Sequence, residues 1–190
     1  MAAPILETAR LRLRPMVVAD APEVARLAGR REIADTMISI PHPFSEAQAR
    51  DWIARQLSPE EPPPHLIFAI SRRQDPGLVG AVALRDINYE HGQAELGFWI
   101  AVDLWGRGFA AEAAGAVVHH AFTALGLNRV CAHHMVRNPA SGRVLAKIGM
   151  QREGVLRQRV RKWGVYEDVV MLAVLREDWR DRSTPAAGLV

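Results

Sequence analysis

Residues 95–113 read Glu95-Leu96-Gly97-Phe98-Trp99-Ile100-Ala101-Val102-Asp103-Leu104-Trp105-Gly106-Arg107-Gly108-Phe109-Ala110-Ala111-Glu112-Ala113, and the period of the pattern changes inside them. From Glu95 to Ile100 it alternates, with Leu96, Phe98 and Ile100 on one face of a strand and Glu95, Gly97 and Trp99 on the other. From Phe109 to Leu125 the residues are helix formers, with apolar positions at Val117, Val118, Ala121 and Phe122 and Gly126 just past the end. Gly106 and Gly108 lie in the turn between. Two glycines let backbone approach a ligand closely, and the free N–H groups at a helix start, with the helix dipole, attract an anion. The turn therefore predicts a phosphate cradle.

Working outward, the element order becomes readable. Arg10–Arg14 alternates as a half-buried strand, and Asp20 and Pro22 open a helix carrying Val24, Leu27 and Ala28. Ser45-x-x-Gln48 has the capping-box pattern. Leu66–Ser71 is a buried strand; Gly77 turns the chain into Leu78–Leu84, and 93–100 completes an antiparallel meander. After the helix come a strand at Arg129–Val136, a helix opened by Asn138-Pro139 and ended by Gly149, and strands near 151–160 and 166–175 joined around Trp163-Gly164. The fold class this predicts is α/β (α+β): a mixed, mostly antiparallel sheet of six to seven strands with helices on both faces. The 190 residues fit one domain, expected over 1–182 with a tail at 183–190.

Composition narrows the function classes. No apolar run is long enough for a membrane span. The N-terminus shows no signal-peptide pattern, and Cys131 is the one cysteine, so a cytoplasmic setting is expected. The sequence isoelectric point is about 9.6, with 24 Lys plus Arg against 21 acids. Only Lys147 and Lys162 are lysine. The arginines are scattered, apart from Arg152, Arg157, Arg159, Arg161 and Lys162. The alternation of 157, 159 and 161 places a positive face on one strand, for RNA, an acidic partner or a cofactor phosphate. The cradle is not a P-loop. Gly106-x-Gly108-x-x-Ala111 matches a dinucleotide fingerprint, but the preceding meander and the lack of an acid in 128–137 argue against that fold. His119-His120 and His133-His134 are adjacent pairs, which do not share a face, so no metal is expected.

The quoted stretch, with Asn138-Pro139-Ala140-Ser141-x-x-Val144-Leu145-x-Lys147-Ile148-Gly149-Met150, Tyr166-x-Asp168 and Leu175-Arg176-Glu177-Asp178-Trp179, resembles the GNAT acetyltransferase superfamily. Within it the chain is most similar to the Rim-type branch of ribosomal-protein N-terminal acetyltransferases. The resemblance implies a sheet splayed between the strands at 93–102 and 129–136, with acetyl-CoA in the gap. Ile100 and Val102 match its cofactor-facing positions. Trp105, Gly106, Arg107, Gly108, Phe109 and Ala110 match the pyrophosphate loop, although Trp105 stands where the wider family has Gln or Arg. Asn138 matches a residue that caps the helix and bonds the pantetheine.

Acetyl transfer to an amine needs a base, an oxyanion donor and a proton for the thiolate. Glu95 is the candidate base, acting directly or through water, with Gly97 leaving room beside it for a substrate; Asp168 is a second acid, read chiefly as a structural hydrogen-bond partner. Many family members carry a tyrosine acid at the position occupied here by Leu145, which cannot donate, so Ser141 takes that role by resemblance. The expected function is an acetyl-CoA-dependent N-acetyltransferase acting on a protein N-terminal amine. The alternatives are a small-molecule amine such as an antibiotic or polyamine, and a nucleic-acid-binding module using the basic hairpin. A monomer or homodimer is expected, with nucleic acid entering only through a ribosomal substrate.

Overall fold

A computed structural model describes residues 4–57 and 60–179; the expected tail at 183–190 lies outside them. In chain order the elements are β1 (Leu6–Glu7), β2 (Leu11–Pro15), α1 (Ala21–Ala28), α2 (Arg31–Thr36), α3 (Glu46–Gln56), β3 (Leu66–Arg72), β4 (Asp75–Asn88), β5 (Gln93–Ile100), α4 (Phe109–Thr123), β6 (Arg129–Met135), α5 (Pro139–Lys147), β7 (Gln151–Lys162) and β8 (Val165–Leu175). They form one sheet of eight strands in the order β1-β2-β3-β4-β5-β6-β8-β7, against the six to seven expected. The two-residue β1 is too short to show a period in sequence.

The central strands are apolar on both sides because both sides are covered. Phe68 and Ile70 of β3, with Val82 and Leu84 of β4, join Leu96 and Ile100 in a core under α4. Ile67 and Ala69, with Ala81 and Ala83, join Trp99 in a second core under α1, α2 and α3. Helix α4 buries Val117, Val118, Ala121 and Phe122, the stripe its period predicts. At Gly126, φ is +71°, a left-handed angle that favours glycine after a helix.

Local signals decide several ends. Ser45 Oγ accepts from Gln48 N–H (3.2 Å) while Gln48 Oε1 accepts from Ser45 N–H (2.8 Å), the reciprocal capping box. Asp20 departs from expectation. It stands at the N-cap of α1 but makes no side-chain cap bond; instead it accepts from Arg14 (2.8 and 2.6 Å) and from Val17 N–H (3.0 Å), tying β2 to the chain that leads into α1. Gly77 lies inside β4 rather than in the turn before it, since the strand begins at Asp75.

All neighbouring strands are antiparallel except β5 and β6. Their parallel pairing is limited to Gln93↔Arg129, Ala94↔Val130 and Glu95↔Cys131. Beyond Glu95 the two strands diverge, and the sheet opens into a splay. At the far edge, β7 is exposed along nearly its whole length. The expected alternation of Arg157, Arg159 and Arg161 is broken there. Between Leu156↔Val169 and Val160↔Glu167, residues 157–159 stand opposite Asp168 alone. Gln158 takes φ +49° and donates its N–H to Asp168 Oδ1 at 2.7 Å. Asp168 therefore has the structural partner its position suggested, holding a bulge.

Candidate active site

The cradle forms first. Gly106 and Gly108 have φ of +76° and +80°, angles at which a side chain is strained. Gly108 is the N-cap of α4, and the first helical bond runs from Glu112 N–H to Gly108 O (3.1 Å). The N–H groups of Phe109, Ala110 and Ala111 thus have no intrahelical acceptor, and all three residues line a cleft of about 350 Å3. A Cβ on Gly108 would sit 3.5 Å from Arg10 Nη2 and 4.0 Å from Lys147 Nζ, so two cations flank the backbone donors. Arg10 is fixed by Glu112 (2.6 Å), by the Arg107 carbonyl (3.1 Å) and by stacking 4.7 Å above the Phe109 ring. Free N–H groups, a helix N-terminus and flanking cations suit a pyrophosphate.

The same cleft is lined by Ile100, Trp105, Gly106, Gly108, Phe109, Ala110, Asn138 and Ser141, which brings together most of the residues singled out in the sequence. Arg107 lies outside the lining and contributes its carbonyl to Arg10. Val102 also lies outside it and packs on the α1–α3 core. The Trp105 indole N–H donates to Ile100 O at 2.7 Å. Its ring thus closes the turn back onto the end of β5, and that carbonyl already accepts one bond.

At the opposite wall, Asn138 caps α5, its Oδ1 accepting from Ser141 N–H (3.3 Å). Asn138 Nδ2 donates to Ser141 Oγ at 2.9 Å. Because that oxygen is an acceptor in this pair, the hydroxyl hydrogen of Ser141 is free to point elsewhere. Leu145 is buried at 1 % exposure and carries no donor. Helix α5 passes close over β6 because Gly142 has no Cβ; one there would lie 2.7 Å from His134 Nε2.

A second, smaller pocket of about 60 Å3 lies in the splay, lined among others by Arg85, Gly97, His133 and Ser39. The two cavities share Thr36, Met37, Phe98, Asn138 and Ser141. Glu95 sits beside the smaller one with both oxygens engaged. Oε1 pairs with the Arg85 guanidinium and Oε2 lies 3.3 Å from His133 Nδ1. Burial pushes its pKa up, but His133 and Arg85 outweigh burial and hold the carboxyl below its ordinary range. The room beside Gly97 is partly taken. A Cβ there would meet Arg85 Nη2 at 3.4 Å, so the guanidinium lies across the glycine where open space for substrate was expected.

Sequence reasoning missed Arg10, Lys147, Arg85 and His133. Lys147 stands within the Lys-Ile-Gly-Met motif, and its place in the last turn of α5 was a usable signal; Arg10, in the bend before β2, Arg85 of β4 and His133 of β6 come from places far apart in sequence. Among the described residues no group of three or more His, Cys, Asp or Glu could hold a metal ion, and no helix is long and apolar enough to cross a membrane.

Comparison with known proteins gives the arrangement a family. The model of the acetyltransferase (GNAT) domain matches residues 10–151. The uncharacterized N-acetyltransferase YoaA of Bacillus subtilis is 32% identical over 178 residues, covering 91% of this chain and 97% of that protein. The crystal structure of spermidine N-acetyltransferase from Vibrio cholerae in complex with CoA and spermine superposes with a TM-score of 0.78 at 26% identity, covering 90% of this chain and 98% of that one. RimJ of Mycobacterium smegmatis shares the fold at 23% identity and a TM-score of 0.80, covering 92% of this chain and 87% of that one. The chain belongs to the GNAT acetyltransferase family. It is an N-acetyltransferase that uses acetyl-CoA and an amine acceptor.

Proposed function

We propose that the protein transfers acetyl from acetyl-CoA to a protein N-terminal amine, by direct attack of the amine on the thioester in a ternary complex. The observation that carries this reading is the meeting of two cavities at Phe98, Asn138 and Ser141. The larger has the cradle at one end; the smaller meets it at these residues and is lined beyond them by Arg85, Gly97 and His133. A thioester and an amine entering from opposite sides would meet there without a covalent relay on the protein.

The chemistry follows from charge and proton balance. The ammonium loses two protons on the way to an amide. One goes to the departing sulfur and the other leaves to solvent. The nitrogen lone pair forms the N–C bond, and the C–S bonding pair leaves on sulfur. Ser141, its oxygen already bonded by Asn138, has its hydroxyl hydrogen available for the thiolate. The carboxylate of Glu95 raises the proton affinity of a neighbouring acceptor. With both oxygens engaged, it acts through a neighbouring group rather than by contact with the amine. Ile100, Trp105, Gly106, Gly108, Phe109, Ala110 and Asn138 are the proposed cofactor wall. Arg107 serves through its carbonyl and Val102 by supporting the end of β5.

A polyamine acceptor is the second reading, favoured by the name of the Vibrio cholerae relative. Among the described residues lining the small pocket there is no Asp or Glu, while Arg85 and His133 are present. A polycation needs carboxylates, so the lining favours a singly charged amine. Thiol release from acetyl-CoA, measured with a peptide bearing a free N-terminal serine, the same peptide N-formylated, and spermidine, tests the choice. Release with the free peptide alone is expected. Release with spermidine alone would overturn the acceptor assignment.

A further inference from the structure

Two histidines sit side by side on β6, and the fold puts them to different uses. His134 lies under Gly142 of α5, and its Nδ1 is 2.9 Å from the Met135 carbonyl. It is half-buried and lines the small pocket on the α5 side. His133 lies on the other face, in the splay, two residues beyond the last β5–β6 pair, Glu95↔Cys131. Its Nδ1 is 3.3 Å from Glu95 Oε2. The ring also lines the small pocket together with Ser141.

We propose that His133 Nε2 takes the proton from the attacking amine and that Glu95 is a positioning residue behind it. The inference rests on the acetyl-transfer reading above and names the group through which Glu95 acts. A carboxylate accepting from Nδ1–H fixes the imidazole in the tautomer whose lone pair is on Nε2, and it stabilises the imidazolium that forms. Glu95 itself is poorly placed as the base, because Arg85 and His133 occupy its oxygens and keep it ionised below the ordinary carboxylate range. A base must present a free lone pair to the amine, and Nε2 of this tautomer has one while the engaged Glu95 oxygens do not.

The charged and titratable groups around His133 begin with its neighbour His134, which lines the same pocket from the α5 side. Glu95 and Arg85 approach from β5 and β4. Cys131 lies on its own strand, its thiol pushed up by burial and by Glu95. Opposite on β8 stands Met171; further along β8, Glu167 is held by Arg137 at 2.7 Å. From α5 and the segment after α2, the pocket receives Ser141 and Ser39, both neutral. In the step, the ammonium N–H bond breaks toward Nε2 and the freed lone pair attacks the thioester carbon. The C–S pair leaves on sulfur, which takes the second N–H proton by way of the Ser141 hydroxyl, and the imidazolium returns the first to solvent.

Two measurements on the full chain test this. Long-range 1H–15N correlation spectra with free CoA bound, at pH 8, should show His133 as the Nδ1–H tautomer, assigned by its loss in H133N. In E95Q that preference should disappear. An Nε2–H tautomer at His133 would overturn the proposal, whatever the acceptor. In the thiol-release assay with the N-terminal serine peptide, H133Q and H133N should each lower kcat by about 10²-fold or more while binding CoA as the wild type does. H133N retains a donor near the Nδ1 position and would rescue a merely structural role, so its inactivity is the sharper result. E95Q should keep a pH-dependent acid limb, because the base is still present. If H133N keeps wild-type kcat while E95Q loses the limb, Glu95 is the base and the proposal fails. If the wild type releases no thiol with this peptide, the acceptor assignment fails, and the tautomer measurement decides the role of His133 independently.

Discussion

On the proposed cofactor side of the splay the groups offered to an anion are main-chain N–H groups of Phe109 to Ala111, beside glycines at φ +76° and +80°. On the proposed acceptor side the polar groups are side chains from separate elements: Arg85 of β4, Glu95 of β5, His133 of β6 and Ser141 of α5. The difference has a physical source. CoA offers a charge that any N–H can meet, so the backbone geometry of one turn suffices. An amine must be deprotonated, and that needs groups with lone pairs and tunable charge. The cofactor half is therefore tolerant of side-chain identity and intolerant of backbone change. The acceptor half has the opposite sensitivities.

Gly108→Val puts the heaviest stress on this contrast. A branched side chain in the left-handed region is strained by about 1–3 kcal/mol, and relieving the strain reorients the first N–H groups of α4. CoA affinity, read by titration calorimetry, should fall about 10²-fold or more, the scale expected when binding groups shift by an ångström. Gly142→Ala strikes the other half. Its Cβ would meet His134 Nε2 at 2.7 Å, forcing α5 away from β6. Overpacking of this kind costs about 1–3 kcal/mol, so the thermal midpoint should drop by several degrees, and kcat should fall more than CoA affinity does.

Smaller effects sharpen the boundary. Lys147→Ala removes one flanking cation from the cradle while leaving every N–H in place. CoA binding should weaken only about two- to fivefold, the worth of an exposed charge, and the loss should shrink as salt rises. Asp20→Asn is the control, since it lies in neither half. It should lower stability slightly without changing CoA affinity or kcat. Burial raises the Asp20 pKa, but the bonds from Arg14 and Val17 N–H outweigh it, so the carboxyl is held below its ordinary value. Its contribution is complete above that ordinary value and is lost as pH falls through the lowered one. The stability gap between wild type and variant, followed by denaturant unfolding, should therefore close toward low pH.

The same division explains what was legible in the sequence. The cradle, the capping box at Ser45–Gln48 and the Asn138-Pro139 start of α5 are local patterns in which neighbours in sequence satisfy one another's backbone. The double coverage of β3 and β4 shows in their unbroken apolar runs. Helix α2 was not legible. At six residues it is too short for a period, and its place is set by distant partners, including Asp35, which accepts from the Trp163 indole (2.7 Å) and from Arg137 (2.9 Å). The bulge at 157–159 depends on Asp168 of the facing strand, and the Arg85–Glu95–His133 cluster joins three strands. His133-His134 carried a usable hint, because adjacent strand residues face opposite ways. That rule argues against a shared metal, and it equally allows the two to have different neighbours, Gly142 for His134 and Glu95 for His133.

The claim that backbone holds the cofactor while side chains perform the transfer is tested most directly by titrating CoA into Gly108→Val and Ser141→Ala side by side. The account predicts that Ser141→Ala binds CoA within about twofold of wild type, the scale of a lost neutral contact, while Gly108→Val loses affinity by about 10²-fold. Near-wild-type binding by Gly108→Val, with the large loss in Ser141→Ala, would contradict it.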